Sequence, residues 1–303
     1  LQPEGYFSGN AIPGSGGGQA DGSNAITSIS IGPGATLIEY NFCELDPATI
    51  AGQVFVDLDD DCIPDEDEQR IANVVIQLYD SSGQMIATTL TDSLGRYEFT
   101  NLPRGEYRVV QLQPEGFFSG NAIPGSGGGR ADGTNAITEI MIGPGANLVE
   151  YNFCELLPGS IGGRVWSETD LNRRLDQGDL PVPGVVVELL NREGERISTT
   201  LTDAEGRYRF EGLEPGTYSV RQLQPNGLFH GGQVAGTLGG DTSVQDLISS
   251  IALPAGVHAI EYNFPEFPPA EITGNVFQDG GPLSLKSPPN PEDLRRFRDG
   301  QLS

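Results

Sequence analysis

The stretch Arg96-Tyr97-Glu98-Phe99-Thr100-Asn101-Leu102-Pro103-Arg104-Gly105-Glu106-Tyr107-Arg108-Val109 sets the secondary structure of this chain. Tyr97 and Phe99 alternate with polar Arg96, Glu98 and Thr100, and Tyr107 and Val109 alternate with Glu106 and Arg108. That period of two belongs to strands with one buried and one wet face. The pattern returns as Tyr208, Phe210, Leu213, Tyr218 and Val220, so these positions and their first-copy equivalents, Leu102 included, are expected core residues. The copies lie 111 residues apart, and the same spacing relates Leu1-Gln2-Pro3-Glu4-Gly5 to Leu112–Gly116 and to Leu223–Gly227, where Asn226 replaces the glutamate. About a hundred residues can bury a core of their own, so the repeat is a whole domain rather than a solenoid turn.

Domain starts carry Ile50-Ala51-Gly52, Ile161-Gly162-Gly163 and Ile272-Thr273-Gly274, and domain ends carry Tyr40-Asn41-Phe42, Tyr151-Asn152-Phe153 and Tyr262-Asn263-Phe264. The phase of these markers divides the chain into the end of one repeat (1–44), two complete repeats (50–155 and 161–265) and the start of another (272–303), so the chain is expected to be an excerpt of a longer protein. Strands are expected near 50–56, 73–79, 84–91, 96–100, 105–111, 137–142 and 147–154. Seven short strands imply an all-β fold, tandem seven-stranded Ig-like or prealbumin-like sandwiches. Asp80-Ser81-Ser82-Gly83 and Asp92-Ser93-Leu94-Gly95 read as turns with an Asx start and a glycine at positive φ.

Phe117–Asn135, with Pro124-Gly125-Ser126-Gly127-Gly128-Gly129, reads as an exposed loop available for ligand contact or lateral self-association. No helix follows it, so it is not a phosphate-binding loop. Linkers of about five proline-containing residues, Leu45–Thr49 and Leu156–Ser160, imply a semi-rigid rod. The tail from Leu285 is expected to be an incomplete segment with a short helix near 292–297.

With 42 acidic and 17 basic residues the net charge is −25, which disfavours nucleic acid and anionic lipid and favours cations. No apolar run reaches membrane length. The acidity concentrates in Asp57-Leu58-Asp59-Asp60-Asp61-Cys62-Ile63-Pro64-Asp65-Glu66-Asp67-Glu68, where eight of twelve residues are carboxylates. Ligand positions 1, 3, 5, 7, 9 and 12 of a calcium loop fall on Asp57, Asp59, Asp61, the Ile63 carbonyl, Asp65 and Glu68. The glycine usual at position 6 is replaced by Cys62. The second copy aligns Glu168, Asp170, Asn172, the Arg174 carbonyl, Asp176 and Asp179, with Arg173 and Arg174 diluting the charge, so weaker binding is expected there. The third keeps only Asp279. Magnesium, which prefers a small hydrated octahedron, suits such a cage less well than calcium. The alternative is a solvated acidic loop.

Cys62 and Cys154 are replaced together in the next repeat, by Arg173 and Pro265. Loss in one step suits the two ends of one bond, so a Cys62–Cys154 disulfide is expected, with Cys43 left to a partner in the preceding repeat. The alternative is free thiols in a reducing compartment.

The acidic loop, Ile71-Ala72-Asn73-Val74-Val75-Ile76-Gln77-Leu78, Thr91–Phe99 and the core set Leu102, Gly105, Tyr107 and Val109 together resemble the SdrD B-like repeats of serine-aspartate repeat surface proteins, relatives of the collagen-adhesin B-type (Cna-B) domains. The resemblance implies calcium-rigidified sandwiches that project an adhesive region from a bacterial surface, hence an extracellular location and a host, matrix or neighbouring-cell protein or glycan as partner. The Lys-to-Asn crosslink of many collagen-adhesin relatives is excluded from both complete repeats, because the single lysine is Lys286. An enzyme is disfavoured. His230 and His258 stand where the first repeat has Ser119 and Asn147, no nucleophile–base spacing is present, and both histidines read as incidental. A carbohydrate- or protein-binding module is the competing reading. Its weak point is the absence of an exposed aromatic cluster, since Trp166 replaces the strand residue Phe55 and is expected in the core.

Overall fold

A computed structural model describes residues 2–22 and 24–273. The expectations placed on Asp279, Lys286 and the 292–297 helix lie outside the described residues. Leu1–Pro268 form one compact unit; the described residues of the second unit, 269–273, carry no regular secondary structure. Among the described residues every regular element is a strand.

The N-terminal copy contributes β1 (Phe7–Ile12), β2 (Gln19–Ala20), β3 (Ile26–Thr27) and β4 (Asn41–Leu45). The first complete repeat contains β5 (Ala48–Val56), β6 (Val75–Asp80), β7 (Met85–Leu90), β8 (Arg96–Leu102), β9 (Gly105–Gln111), β10 (Phe118–Ile123), β11 (Arg130–Ala131), β12 (Ala136–Ile142), β13 (Asn147–Leu148) and β14 (Asn152–Leu156). The second repeats the plan with β15 (Gly159–Ser167), β16 (Leu180–Pro181), β17 (Val186–Leu190), β18 (Arg196–Leu201), β19 (Arg207–Leu213), β20 (Gly216–Gln222), β21 (Phe229–His230), β22 (Leu247–Leu253), β23 (His258–Ala259) and β24 (Phe264–Phe267).

In the first repeat β5 is flanked by antiparallel β8 and by parallel β13 and β14, with β10 on the edge of β14; the other sheet runs β11-β12-β9-β6-β7. Ile50, Val54, Tyr97, Phe99, Tyr107, Val109, Ile140 and Phe153 fill the space between them, and Ile161, Val165, Tyr208, Phe210, Val220 and Phe264 do so in the second repeat. Every alternating position singled out above is therefore buried or packed on a core, with Leu213 and Tyr218 only half-covered. Trp166 is 2% exposed, a core residue as expected. The Asp80–Gly83 turn closes the β6–β7 hairpin, its Oδ1 accepting the Ser82 and Gln84 N–H at 2.9 and 3.0 Å, with Gly83 at φ +81°. Asp92–Gly95 has the same chemistry but carries the chain from one sheet to the other.

The glycine of the Ile-x-Gly start has a steric reason. Between the two parallel pairings of β5 the returning chain passes against Gly52, where an added Cβ would lie 1.8 Å from the Tyr151 carbonyl oxygen; Gly163 and Tyr262 repeat that contact at 1.8 Å. The Tyr97 hydroxyl donates to the same Tyr151 carbonyl at 2.6 Å.

One expectation is corrected. Phe117–Asn135 is not simply an exposed loop: Phe118–Ile123 is a strand paired with β14, and Arg130–Ala131 pairs with β12. Beyond β10, Ser126 N–H donates to Val149 O at 2.9 Å and Tyr151 hydroxyl to Gly128 O at 3.0 Å. Glycine permits the close descent: a Cβ at Gly125 would stand 2.0 Å from the Val149 oxygen. The linkers are also shorter than expected, two residues each, Asp46-Pro47 and Leu157-Pro158. Each is held by a loop of the repeat that follows it, through Gly145 N–H to Asp46 O and Gly256 N–H to Leu157 O, both 2.9 Å.

Cys62 and Cys154 form the expected disulfide, with Cα atoms 5.6 Å apart, packed with Phe55 against Ile123; Cys43 is free and exposed. Unfolding the unreduced chain is therefore expected to expose one titratable thiol, and three would overturn the bond. A disulfide closing a loop across 92 residues contributes about 2–4 kcal/mol, the range typical of such bonds, so the Cys62→Ala/Cys154→Ala variant should melt well below the parent in calorimetry.

Beside the disulfide, Glu155 is 1% exposed, and Gln111 and Gln113 donate to its two oxygens. Burial raises its carboxyl to about 7, opposed in part by those two donors. A raised folded value favours the protonated native state, so this contribution is complete below the ordinary value near 4.5 and fades as pH rises through about 7. The wild-type stability relative to Glu155→Gln is expected to fall by about 3 kcal/mol between those limits, measured by denaturant titration across pH; a flat difference would refute it.

Candidate metal centre

The acidic loop begins where β5 ends and is tied at its base from both sides. Asp57 N–H donates to Glu155 O at 2.8 Å, Val56 N–H to Gln69 O at 2.8 Å and Ile71 N–H to Val54 O at 3.0 Å. The chain thus leaves and rejoins the sheet beside the end of β14, leaving twelve residues to curl above it.

Two buried carboxylates shape the curl. Asp57, fully buried, accepts the Asp60 N–H on Oδ1 at 2.7 Å and the Cys62 N–H on Oδ2 at 3.0 Å. Glu68, 6% exposed, accepts the Leu58 N–H on Oε1 and the Asp65 N–H on Oε2, both at 3.0 Å. Asp60 and Cys62 take φ of +66° and +54°. Cys62 therefore adopts the left-handed conformation for which a calcium loop uses glycine, held there by the Asp57 hydrogen bond and the disulfide.

Of the expected ligands, Asp57, Asp59 and Asp61 come together, one oxygen of each within 4.8 Å of the others. Asp65 and Glu68 stay outside that cluster, and Ile63 is exposed, its N–H donating to Asp61 Oδ1 at 2.7 Å. The Asp59 carboxyl is raised above its ordinary value first by desolvation and then by the charges of Asp61, Asp57 and Asp65. The donors are hard oxygens that repel one another, a set that fits a calcium-type cation. The sulfurs of Cys62 and Cys154 also lie near Asp57 but are consumed in the disulfide.

The second loop keeps the plan. Asp179 takes the place of Glu68, accepting Thr169 N–H at 3.0 Å and Asp176 N–H at 3.1 Å. Asn172 donates to Asp170 at 2.7 Å and to Asp176 at 2.8 Å, while Arg174 N–H reaches Asn172 Oδ1 at 2.6 Å. Glu168 is buried; its Oε1 accepts the Arg173 N–H and its Oε2 has no hydrogen-bond partner, an acceptor that a cation would satisfy. Arg173 has φ +59° without a disulfide, its guanidinium lying against Gly232.

His230, read from the sequence as incidental, has polar partners in the fold. Its Nδ1 lies 2.7 Å from Asp246 Oδ1, and these two with Glu266 place one ligand atom each within 4.8 Å of the others. The signal was present in the register, where Ser119 and Asn135 of the first repeat become His230 and Asp246 beside an unchanged glutamate. His258 contacts Ser160 Oγ at 3.0 Å and joins no such cluster.

Comparison with known proteins bears on this scaffold. The SdrD B-like domain profile matches residues 48–144 and 159–258, together more than half of the chain. Serine-aspartate repeat-containing protein D of Staphylococcus aureus (strain Newman) is 33% identical over 174 residues, 57% of this chain and 13% of that protein. Serine-aspartate repeat-containing protein F of Staphylococcus epidermidis (strain ATCC 12228 / FDA PCI 1200) is 35% identical over 179 residues, 59% of this chain and 11% of that protein. The chain thus spans a small part of these relatives. A solved streptococcal ancillary pilin aligns over 72% of this chain and 62% of its own, at 18% identity and a TM-score of 0.33, too distant to carry an argument. With two matched copies in register with the observed sheets, the chain belongs to the SdrD B-like domain family.

Proposed function

We propose that these repeats are spacer domains of an extracellular surface protein, stiffened by calcium in the acidic loops and stapled by a disulfide in the first complete copy. In this role they hold an adhesive region at a distance rather than perform chemistry. The observation that carries the reading is the Asp57–Glu68 loop, closed at its base by backbone hydrogen bonds and presenting three aspartates to one point. A cation there would neutralise the mutual repulsion of the loop and lock it against the end of β14. The two-residue linkers, each bonded to a following loop, limit the freedom between copies and support the rod. Family membership supports a surface location and the absence of catalysis. The ligand-module alternative keeps residues 124–129 as its glycine-rich segment outside the strands, because the flanking Phe118–Ile123 and Arg130–Ala131 are paired into the sheets.

Calcium titration by calorimetry on the full chain, with melting in calcium and in chelator, tests this. At a hundredfold excess over Kd an occupied site adds about 2.7 kcal/mol, a rise of roughly 10–20 °C for a domain of about 100 residues. Asp59→Asn should weaken the tighter site at least tenfold and leave the weaker second-repeat site intact. No heat and coincident melts would sink the proposal.

A further inference from the structure

Each of the three copies places a glutamate at the end of its last strand beneath a glutamine: Glu44 with Gln2, Glu155 with Gln113 and Glu266 with Gln224. In the complete repeats a second glutamine, Gln111 or Gln222, holds the other carboxylate oxygen. The groups above the glutamate differ. Ser8 and Asn24 in the first copy, and Ser119 and Asn135 in the next, donate to the glutamine carbonyl, so the polar group closes on itself. The second complete repeat has His230 and Asp246 there instead.

We propose that His230, Asp246 and Glu266 form a binding site for a zinc-class divalent transition metal, present among the described residues in the second complete repeat alone. One ligand atom from each already lies within 4.8 Å of the other two. Tetrahedral zinc with bonds of about 2.0–2.2 Å sets its ligands about 3.4 Å apart, so the set closes by small side-chain rotations. Glu266 is fully buried, and its two oxygens are oriented by Gln222 and Gln224, each oxygen keeping a second lone pair for the metal. This is the outer support that metal-ligating carboxylates use. The His230 and Asp246 side chains are 26% and 16% exposed, which opens the remaining coordination position to solvent.

Charge and softness select the ion. Two carboxylates facing one imidazole leave the site negative unless a proton or a cation occupies it, and the metal would replace the proton between His230 Nδ1 and Asp246 Oδ1. Imidazole favours zinc and its neighbours, whereas calcium takes six to eight oxygens that this cluster does not supply. The site shares no ligand side chain with the acidic loops, which a hard cation suits, although the Glu168 N–H donates to the Glu266 carbonyl at 2.7 Å.

The experiment is zinc titration by calorimetry on the full chain carrying Cys43→Ser, which removes the exposed thiol, in excess calcium to fill the oxygen-rich loops. One saturable site is expected, together with a zinc-dependent rise in melting temperature. His230→Ser and Asp246→Asn install the residues that the first complete repeat carries, so the fold should persist, checked by circular dichroism. Each should weaken zinc at least tenfold and remove the melting shift. Absence of saturable zinc binding, or unchanged binding in His230→Ser, overturns the site.

Discussion

The contact on which the rest of each repeat depends is the parallel pairing of its first strand with its last, at the point where Gly52 meets the Tyr151 carbonyl. Any side chain at residue 52 would push the returning chain off β5, and with it the Tyr97 hydroxyl that caps the same carbonyl. Because both strands run the same way, the loop leaving β5 and the end of β14 meet at one pole. That proximity allows Asp57 N–H to bond Glu155 O, Cys62 to reach Cys154 and the acidic loop to rest on the sheet. Acidic loop, disulfide and buried glutamate are therefore neighbours through topology rather than through sequence proximity.

The two complete repeats show how that pole tolerates substitution. With the disulfide gone, the backbone at Arg173 still takes the left-handed conformation of Cys62, and its N–H still bonds the first carboxylate of the loop. Its side chain turns onto Gly232, where the first repeat has Asn121 beside Cys154. A covalent tie is thus replaced by a packed guanidinium, and an added Cβ at Gly232 would sit 2.9 Å from Arg173 Nε, so glycine is what leaves the space.

Much of this is legible in the sequence. Alternation marked Tyr97, Phe99, Tyr107 and Val109 because one face of each strand is wet, and Asp80 and Asp92 marked turns because their carboxylates bond the backbone two and four residues on. The strand Phe118–Ile123 was not legible: Ser119, Gly120 and Asn121 interrupt the apolar alternation, and the glycines that read as looseness permit close approach instead. The approach of Asp57, Asp59 and Asp61 was readable from spacing, but not that Asp57 and Glu68 spend their oxygens on backbone N–H groups. His230 carried no signal alone, since its meaning lies in facing Asp246 and Glu266 from other parts of the chain.

The position of the disulfide also determines which part of a repeat carries a pulling force. Tension entering at Ala48 travels along β5 to Cys62, crosses to Cys154 and leaves through Leu156, so the residues between the two cysteines lie off the covalent load path. Strands β6 to β13 cannot be drawn out while the bond is intact, and extension of that repeat is limited to residues 48–62 and to the end of β14. The second complete repeat has no such bypass. There the load passes through the parallel contacts of β15 with β23 and β24 in shear, which strains their hydrogen bonds together rather than one at a time. Adjacent copies of one fold thus differ under tension: in one the disulfide caps the extension, and the other yields as a whole with a lifetime set by its unfolding barrier.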